Sequence, residues 1–394
     1  MKRINVILVA ILIIMTGCGG QKQSGNQNDK YITVDVNTSY PKKELILQDF
    51  MDVEYIPLET NDEFLCQGHV LDVGKKFMLL RNNNRDGNIF VYDRNGKAIR
   101  IINHMGQSGY DYVSFSEAIL DEDNNEMFVN DNSKTNILVY DLNGNYKRSF
   151  MHADSARYQN IYNYDRENLI CYDGRIIISE LNVSKRKSQS FYIISKHDGS
   201  IVKKIEFAFE EEKTTMVIVR EGNMTMGVSF GVNQITPHKD DWILMTPSSD
   251  TIFRLLPDYS KEPFIIRTPS IQSMNPEVFL NPCILTDKYY FMESTKKEFD
   301  FEKMTGFPKV QLMYDRKEKA IFEYTILNND FTVKNNEYMS AKTMNNEIAF
   351  WKKLEAFTLI EANEKGELQG KLKEIVADLD EDDNPVIMLI KYKK

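Results

Sequence analysis

The chain has 394 residues, with 49 Lys and Arg against 58 Asp and Glu and a formal net charge of −9. An acidic balance of this size argues against binding nucleic acid through a basic surface. The cysteines have no metal-type spacing; Cys66, Cys171 and Cys283 each sit among apolar residues, so they read as small core residues and imply no disulfide framework.

The N-terminus carries Lys2 and Arg3, an apolar run over residues 4–15, and then Thr16, Gly17 and Cys18. That run is too short to span a bilayer and fits a secretory signal peptide over residues 1–17. Small residues directly before a cysteine resemble the lipobox of bacterial lipoproteins, which makes Cys18 the expected lipidation site and the mature N-terminus. Loss of Lys2 and Arg3 would take the net charge to −11. Residues 18–30 are polar and suit a flexible tether, and residues 31–394 are expected to form one domain. Gly19, in place of an Asp, favours the outer membrane, and the lack of an acidic run after Cys18 favours its periplasmic side over the cell surface.

A segment then occurs twice. Residues 88–97 read NIFVYDRNGK, and 48 residues later 136–145 read NILVYDLNGN. β-branched and aromatic runs followed by Asn-Gly predict a strand and a tight hairpin turn, with further strands at 98–102 and 146–151. Strands at 113–120 and 126–130, joined by an acidic turn, precede the second copy. Four antiparallel strands per 48 residues describe a propeller blade. Residues 191–194 with 201–205, 250–255, 310–314 and 384–392 extend the pattern with falling clarity to six blades. The expected fold is therefore all-β, a six-bladed β-propeller of four-stranded antiparallel blades. Closure is expected from an N-terminal strand at 31–36, which would remove an exposed sheet edge. Two segments depart from the β pattern: a charged insertion at 295–307, and a short C-terminal helical insertion at 361–379, where Leu368, Leu372, Ile375, Val376 and Leu379 recur at helical spacing.

Residues 52–60 (DVEYIPLET), the paired Val-Tyr-Asp and Asn-Gly strands, the terminal Asn-Pro-Val strand at 384–386 and the loop 105–110 (MGQSGY) together resemble the six-bladed β-propeller lipoproteins of Bacteroidota, which are similar in blade design to NHL-repeat proteins. The resemblance covers the whole mature chain and implies fold and an envelope location. It transfers no catalytic residue. Ser108 and Tyr110 stand in place of the Gly-Pro-Gly run usual in the 105–110 loop.

Motifs with a chemical reading fail on context. Residues 227–231 (GVSFG) match the G-x-S-x-G pattern, but no helix follows to make a nucleophile elbow. Asp121, Asp123 and Asn125 resemble the start of a calcium loop, yet Glu126 and Asn132 replace the Gly and Glu that such a loop requires. No catalytic residue, metal or cofactor is assigned. His104 and His152 are also 48 residues apart and so occupy equivalent strand ends, where they read mainly as solvated loop residues. On the same face should lie the loops joining second and third strands, 81–88, 131–136 and 185–189. The candidate ligand-binding face is thus Arg81, Arg85, His104, Asp131, Lys134 and His152. Two functions fit. The first is a non-catalytic lipoprotein, held to the membrane by its lipid, whose propeller face binds a glycan, a peptide or an envelope protein. The alternative is a hydrolase or lyase with a cation or carboxylate site in the channel, for which the inner strands offer Asp72 and Glu117.

Overall fold

In the computed structural model, residues 30–83, 86–174, 188–222 and 224–393 are described, and they form the six blades. Cys18, Arg85, the signal peptide and residues 185–187 lie outside this set. Blades one to three are four-stranded antiparallel sheets spanning His69–Ile102, Phe115–Met151 and Tyr158–Ala208 in strict sequence order from the channel outwards. Blade four runs from Ile235 to Thr268 and blade five from Val278 to Leu327. Blade six comprises Ile348–Leu354, Val386–Tyr392 and Met51–Pro57.

The repeated turns show why the first two blades look alike. Asp93 Oδ1 accepts from the N–H groups of Asn95 and Lys97 at 2.8 and 3.0 Å, and Asp141 Oδ1 accepts from those of Asn143 and Asn145, both at 2.8 Å. Gly96 and Gly144 take φ of 83° and 92°, which only glycine adopts without cost. A bulge precedes each turn, at Val91/Tyr92 and Val139/Tyr140, and recurs in blade three at Ile193/Ile194. Hydrophobic side chains fill every gap between consecutive blades. Leu79, Val91, Leu120 and Leu138 pack blade one on blade two, and Phe128, Val139, Ile161 and Cys171 pack blade two on blade three.

Ring closure differs from the sequence expectation. Ile32–Asp35 pairs in parallel with the outer strand of blade four, Lys261–Thr268. The closing strand is Met51–Pro57, antiparallel to Val386–Tyr392, with Val53 opposite Ile390. It buries Met51, Tyr55 and Ile56, whereas Ile32–Asp35 buries only Val34. Both are short apolar runs with β propensity, and local pattern does not specify the partner strand. The helical insertion also differs: it is two helices, α1 (Ala356–Glu364) and α2 (Gly370–Val376), with Gly366 at positive φ between them and Gly370 at positive φ at the start of α2. Leu368, Leu372 and Val376 are buried against Tyr55, Val386 and Met388. The charged insertion of blade five carries a small ribbon, Phe299–Asp300 with Thr305–Gly306. Cys66, Cys171 and Cys283 are buried free thiols. The GVSFG segment ends a free-standing hairpin, Met216–Glu221 with Met224–Ser229.

Candidate functional site at the channel mouth

Antiparallel connectivity gives the propeller two unlike ends. Turns between first and second strands lie at one end, and loops between second and third strands lie at the other. Five of the six sequence candidates, all but Arg85, are among the described residues; they lie at the second end and are engaged within the protein. Asp131, fully buried, accepts from the N–H groups of Val113, Ser133 and Lys134 at 2.7, 2.8 and 3.2 Å. Lys134 Nζ donates to the carbonyls of Ser108 and Asp111, both at 2.8 Å. Arg81 Nη1 donates to the Phe115 carbonyl at 3.4 Å, and its guanidinium lies over the Phe115 ring.

The two histidines occupy equivalent places but are not solvated loop residues. His152 is 6% exposed. One ring nitrogen lies 2.9 Å from Asn130 Oδ1, and the other accepts from the Tyr158 N–H at 3.2 Å. Burial pushes its pKa down to about 4. His104 stacks on Tyr140 with centroids 4.8 Å apart, and its Nε2 lies 2.7 Å from the Gly144 carbonyl. Each ring fastens its blade to the following turn or strand.

The opposite end opens into a cavity of about 940 Å³ at the channel mouth. Its rim is the first turn of successive blades, including Lys75, Asp123, Arg166 and Asp240, and its walls include Asp72, Glu117 and Tyr162. One side is formed by residues 341–347, which precede Ile348–Leu354. This segment runs where an innermost strand of blade six would lie, and it is tied to that blade by hydrogen bonds from Met344 N–H to the Ala349 carbonyl and from Asn345 N–H to the Ile348 carbonyl, both at 3.1 Å.

Other blades hold the same segment by side chains. Lys342 forms an ion pair with Glu117 of blade two, and its ammonium lies 4.8 Å from the centre of the Tyr162 ring. Tyr162 of blade three donates to the Thr343 carbonyl at 3.0 Å. Asn345 Nδ2 donates to the Val73 carbonyl of blade one at 2.9 Å, and Asn346 Nδ2 to the Lys239 carbonyl of blade four at 2.6 Å. Burial alone would lower the Lys342 pKa, but the Glu117 charge and Tyr162 outweigh it and hold it above the ordinary lysine value. Burial pushes the Tyr162 hydroxyl up to about 12.

Asp72 and Glu117, placed on inner strands by the sequence, do meet in this cavity. Each reaches across to the next blade: Asp72 Oδ2 accepts from the Leu120 N–H at 2.8 Å, and Glu117 Oε2 from the Ile161 N–H at 2.9 Å. Burial pushes the Asp72 carboxyl up to about 6, against the amides of Leu120 and Val73, which favour its charged form. Lys342, Tyr162 and Thr343 escaped sequence reasoning. Lys342 and Thr343 stand in a segment with no periodic pattern, and Tyr162 lies in a third blade too diverged for the repeat to place it. Among the described residues, no group of three or more His, Cys, Asp or Glu could hold a metal ion, and no helix is long and apolar enough to cross a membrane.

No functionally curated protein matches the sequence. Among solved structures, a candidate exported protein of Bacteroides fragilis is 14% identical, with a TM-score of 0.57 over 92% of this chain and 100% of its own. A member of the DUF4221 family from Bacteroides vulgatus is 9% identical, with a TM-score of 0.44 over 88% of this chain and 98% of its own. At these identities the first likeness speaks to fold alone. The profile of DUF5128, described as a 6-bladed beta-propeller, matches residues 21–350, and the chain belongs to that family.

Proposed function

We propose that the protein is a cell-envelope lipoprotein, anchored through Cys18 in the outer membrane and facing the periplasm, that binds a polar ligand without transforming it. The ligand is a glycan, a peptide or a segment of a partner protein, and it enters the mouth of the central channel. The observation that carries this reading is the cavity of about 940 Å³ bordered by charged turns of several blades, a size ordinary for ligand sites. Screening the purified protein on polysaccharide and peptide arrays tests it. Binding that is lost when the rim is altered supports the reading, and an array with no ligand sinks it. Anchoring is tested separately: labelled fatty acid should enter the wild-type protein and not Cys18→Ala.

A second reading, a hydrolase or lyase, has one observation in its favour. Asp72, with its raised pKa, and Glu117 share the cavity with Lys342, and perturbed carboxylates cluster at catalytic sites. Turnover of an array ligand by the wild type, abolished in Asp72→Asn, would establish it over simple binding.

A further inference from the structure

The cavity is bordered, among the described residues, by eight carboxylates and five basic side chains, and most of the carboxylates are already answered. Asp121 pairs with Lys196 at 2.7 Å and Asp123 with Lys75 at 3.3 Å, while Glu117 holds Lys342. Glu122 accepts from three backbone N–H groups, those of Lys75, Lys76 and Phe77. Asp165 caps its own turn through the N–H groups of Glu167 and Asn168, and Glu347 lies 3.9 Å from Lys391. Asp240 stands at the exposed rim. On the wall, Asp72 likewise accepts backbone N–H groups, those of Val73 and Leu120; among the described residues no cation is in ion-pair contact with it, and the Lys342 charge acts on it from a longer distance.

A second acceptor stands beside it. Asn163 of blade three donates Nδ2 to the Leu120 carbonyl at 2.6 Å, and Asp72 takes the N–H of that same residue. The amide and carbonyl of one extended residue point to the same edge of a strand, so Asp72 and Asn163 meet at the channel-facing edge of Leu120. Donation through Nδ2 fixes the amide orientation, leaving Asn163 Oδ1 as a buried acceptor without a donor. Buried acceptors left open are costly, and a ligand that satisfies them is repaid for its own desolvation.

We infer that the wall between Asp72 and Asn163 is a subsite for a primary ammonium group on the ligand. An ammonium brings three N–H donors, no acceptor and one positive charge, which matches a wall carboxylate without an ion-pair partner beside one open oxygen acceptor. This deepens the channel-mouth reading and rests on it. The polar ligand is amine-bearing, and the two sources of such a group here are an amino sugar and a peptide.

The test is calorimetric titration of the purified protein with chitosan tetrasaccharide, with the tripeptide Lys-Ala-Ala, and with the fully N-acetylated form of each. Whichever amine binds identifies the source. Its acetylated form should bind about tenfold more weakly or worse, and Asp72→Asn should lose a similar factor, while Glu381→Gln, at an exposed turn outside the cavity, stays within about twofold. A thermal melt confirms that Asp72→Asn is folded. Equal binding of amine and acetylated forms, no binding of either amine, or undiminished binding by Asp72→Asn overturns the inference. If neutral array ligands still bind at the mouth, only the ammonium subsite falls; if no polar compound binds at all, the functional reading falls with it.

Discussion

At the loop end of blade two, Asp131 takes three backbone N–H groups, Lys134 two carbonyls, and His152 two partners in a buried stack on Tyr158. At the channel mouth, Asn163 Oδ1 has no donor, and beside it Asp72 is held by two backbone N–H groups with no ion-pair partner among the described residues. Both ends are rich in charge and both derive from the same blade plan, so charge alone does not distinguish a joint from a binding surface. Saturation does. A polar group whose capacity is spent inside the protein stabilises the ring, and one whose capacity is unspent beside a cavity is available to a ligand.

The largest expected effect that could break this contrast is acid sensitivity at the joints. His152 is pushed down to about 4 by burial, from an ordinary 6.5. A depressed histidine pKa means stability that is complete above about 6.5 and lost as pH falls towards 4, on the order of 3 kcal/mol per group. Denaturant melts between pH 7.5 and 4 should show that decline, and a flat profile would mean that the His152 ring is not buried as described. Replacement of His152 by Ala should cost about 2 kcal/mol at pH 7.5, by stranding Asn130 and the Tyr158 amide. The same variant should show a smaller acid decline than the wild type and unchanged ligand binding.

Lys134→Met comes next, at about 1 kcal/mol, since it frees two carbonyls that water can partly reach. At the mouth the sign reverses. The Asp72 carboxyl titrates at about 6 in the fold against 3.8 ordinarily, so its proton is held more tightly when folded. The ionised group therefore costs stability above pH 6 and costs nothing below about pH 4. Asp72→Asn removes that cost but turns an NH2 towards one of the two N–H groups the carboxylate accepts, so it should change stability by less than about 1 kcal/mol at pH 7.5 and flatten the pH dependence, even as binding is lost. The smallest effect is expected at Asp240→Asn, within about 0.5 kcal/mol, because the side chain is exposed at the rim.

Much of the fold was legible because the turn chemistry is local. Asp93, Gly96, Asp141 and Gly144 announce the same hairpin in two places, and a 48-residue period then fixes a blade. Ring closure was not legible, because strand pairing between Val53 and Ile390 spans nearly the whole chain and either of two N-terminal runs has the pattern of a strand. The same boundary divides the site. Asp72 and Glu117 could be placed on inner strands from the repeat, whereas Lys342 reaches Glu117 from an irregular segment that no periodicity marks. Exposure was misjudged at His152 for a related reason. A strand-end position suggests solvent, but the following chain folds back so that Tyr158 covers the ring.

The central claim is that the ligand enters the end of the channel built from first turns and residues 341–347. Amide hydrogen exchange on the purified protein, with and without the strongest array ligand, tests it most directly. The account predicts added protection in residues 72–75, 120–123, 163–166 and 341–347, with loops 104–112 and 131–136 unchanged. Protection confined to those two loops, with the mouth unchanged, would contradict it.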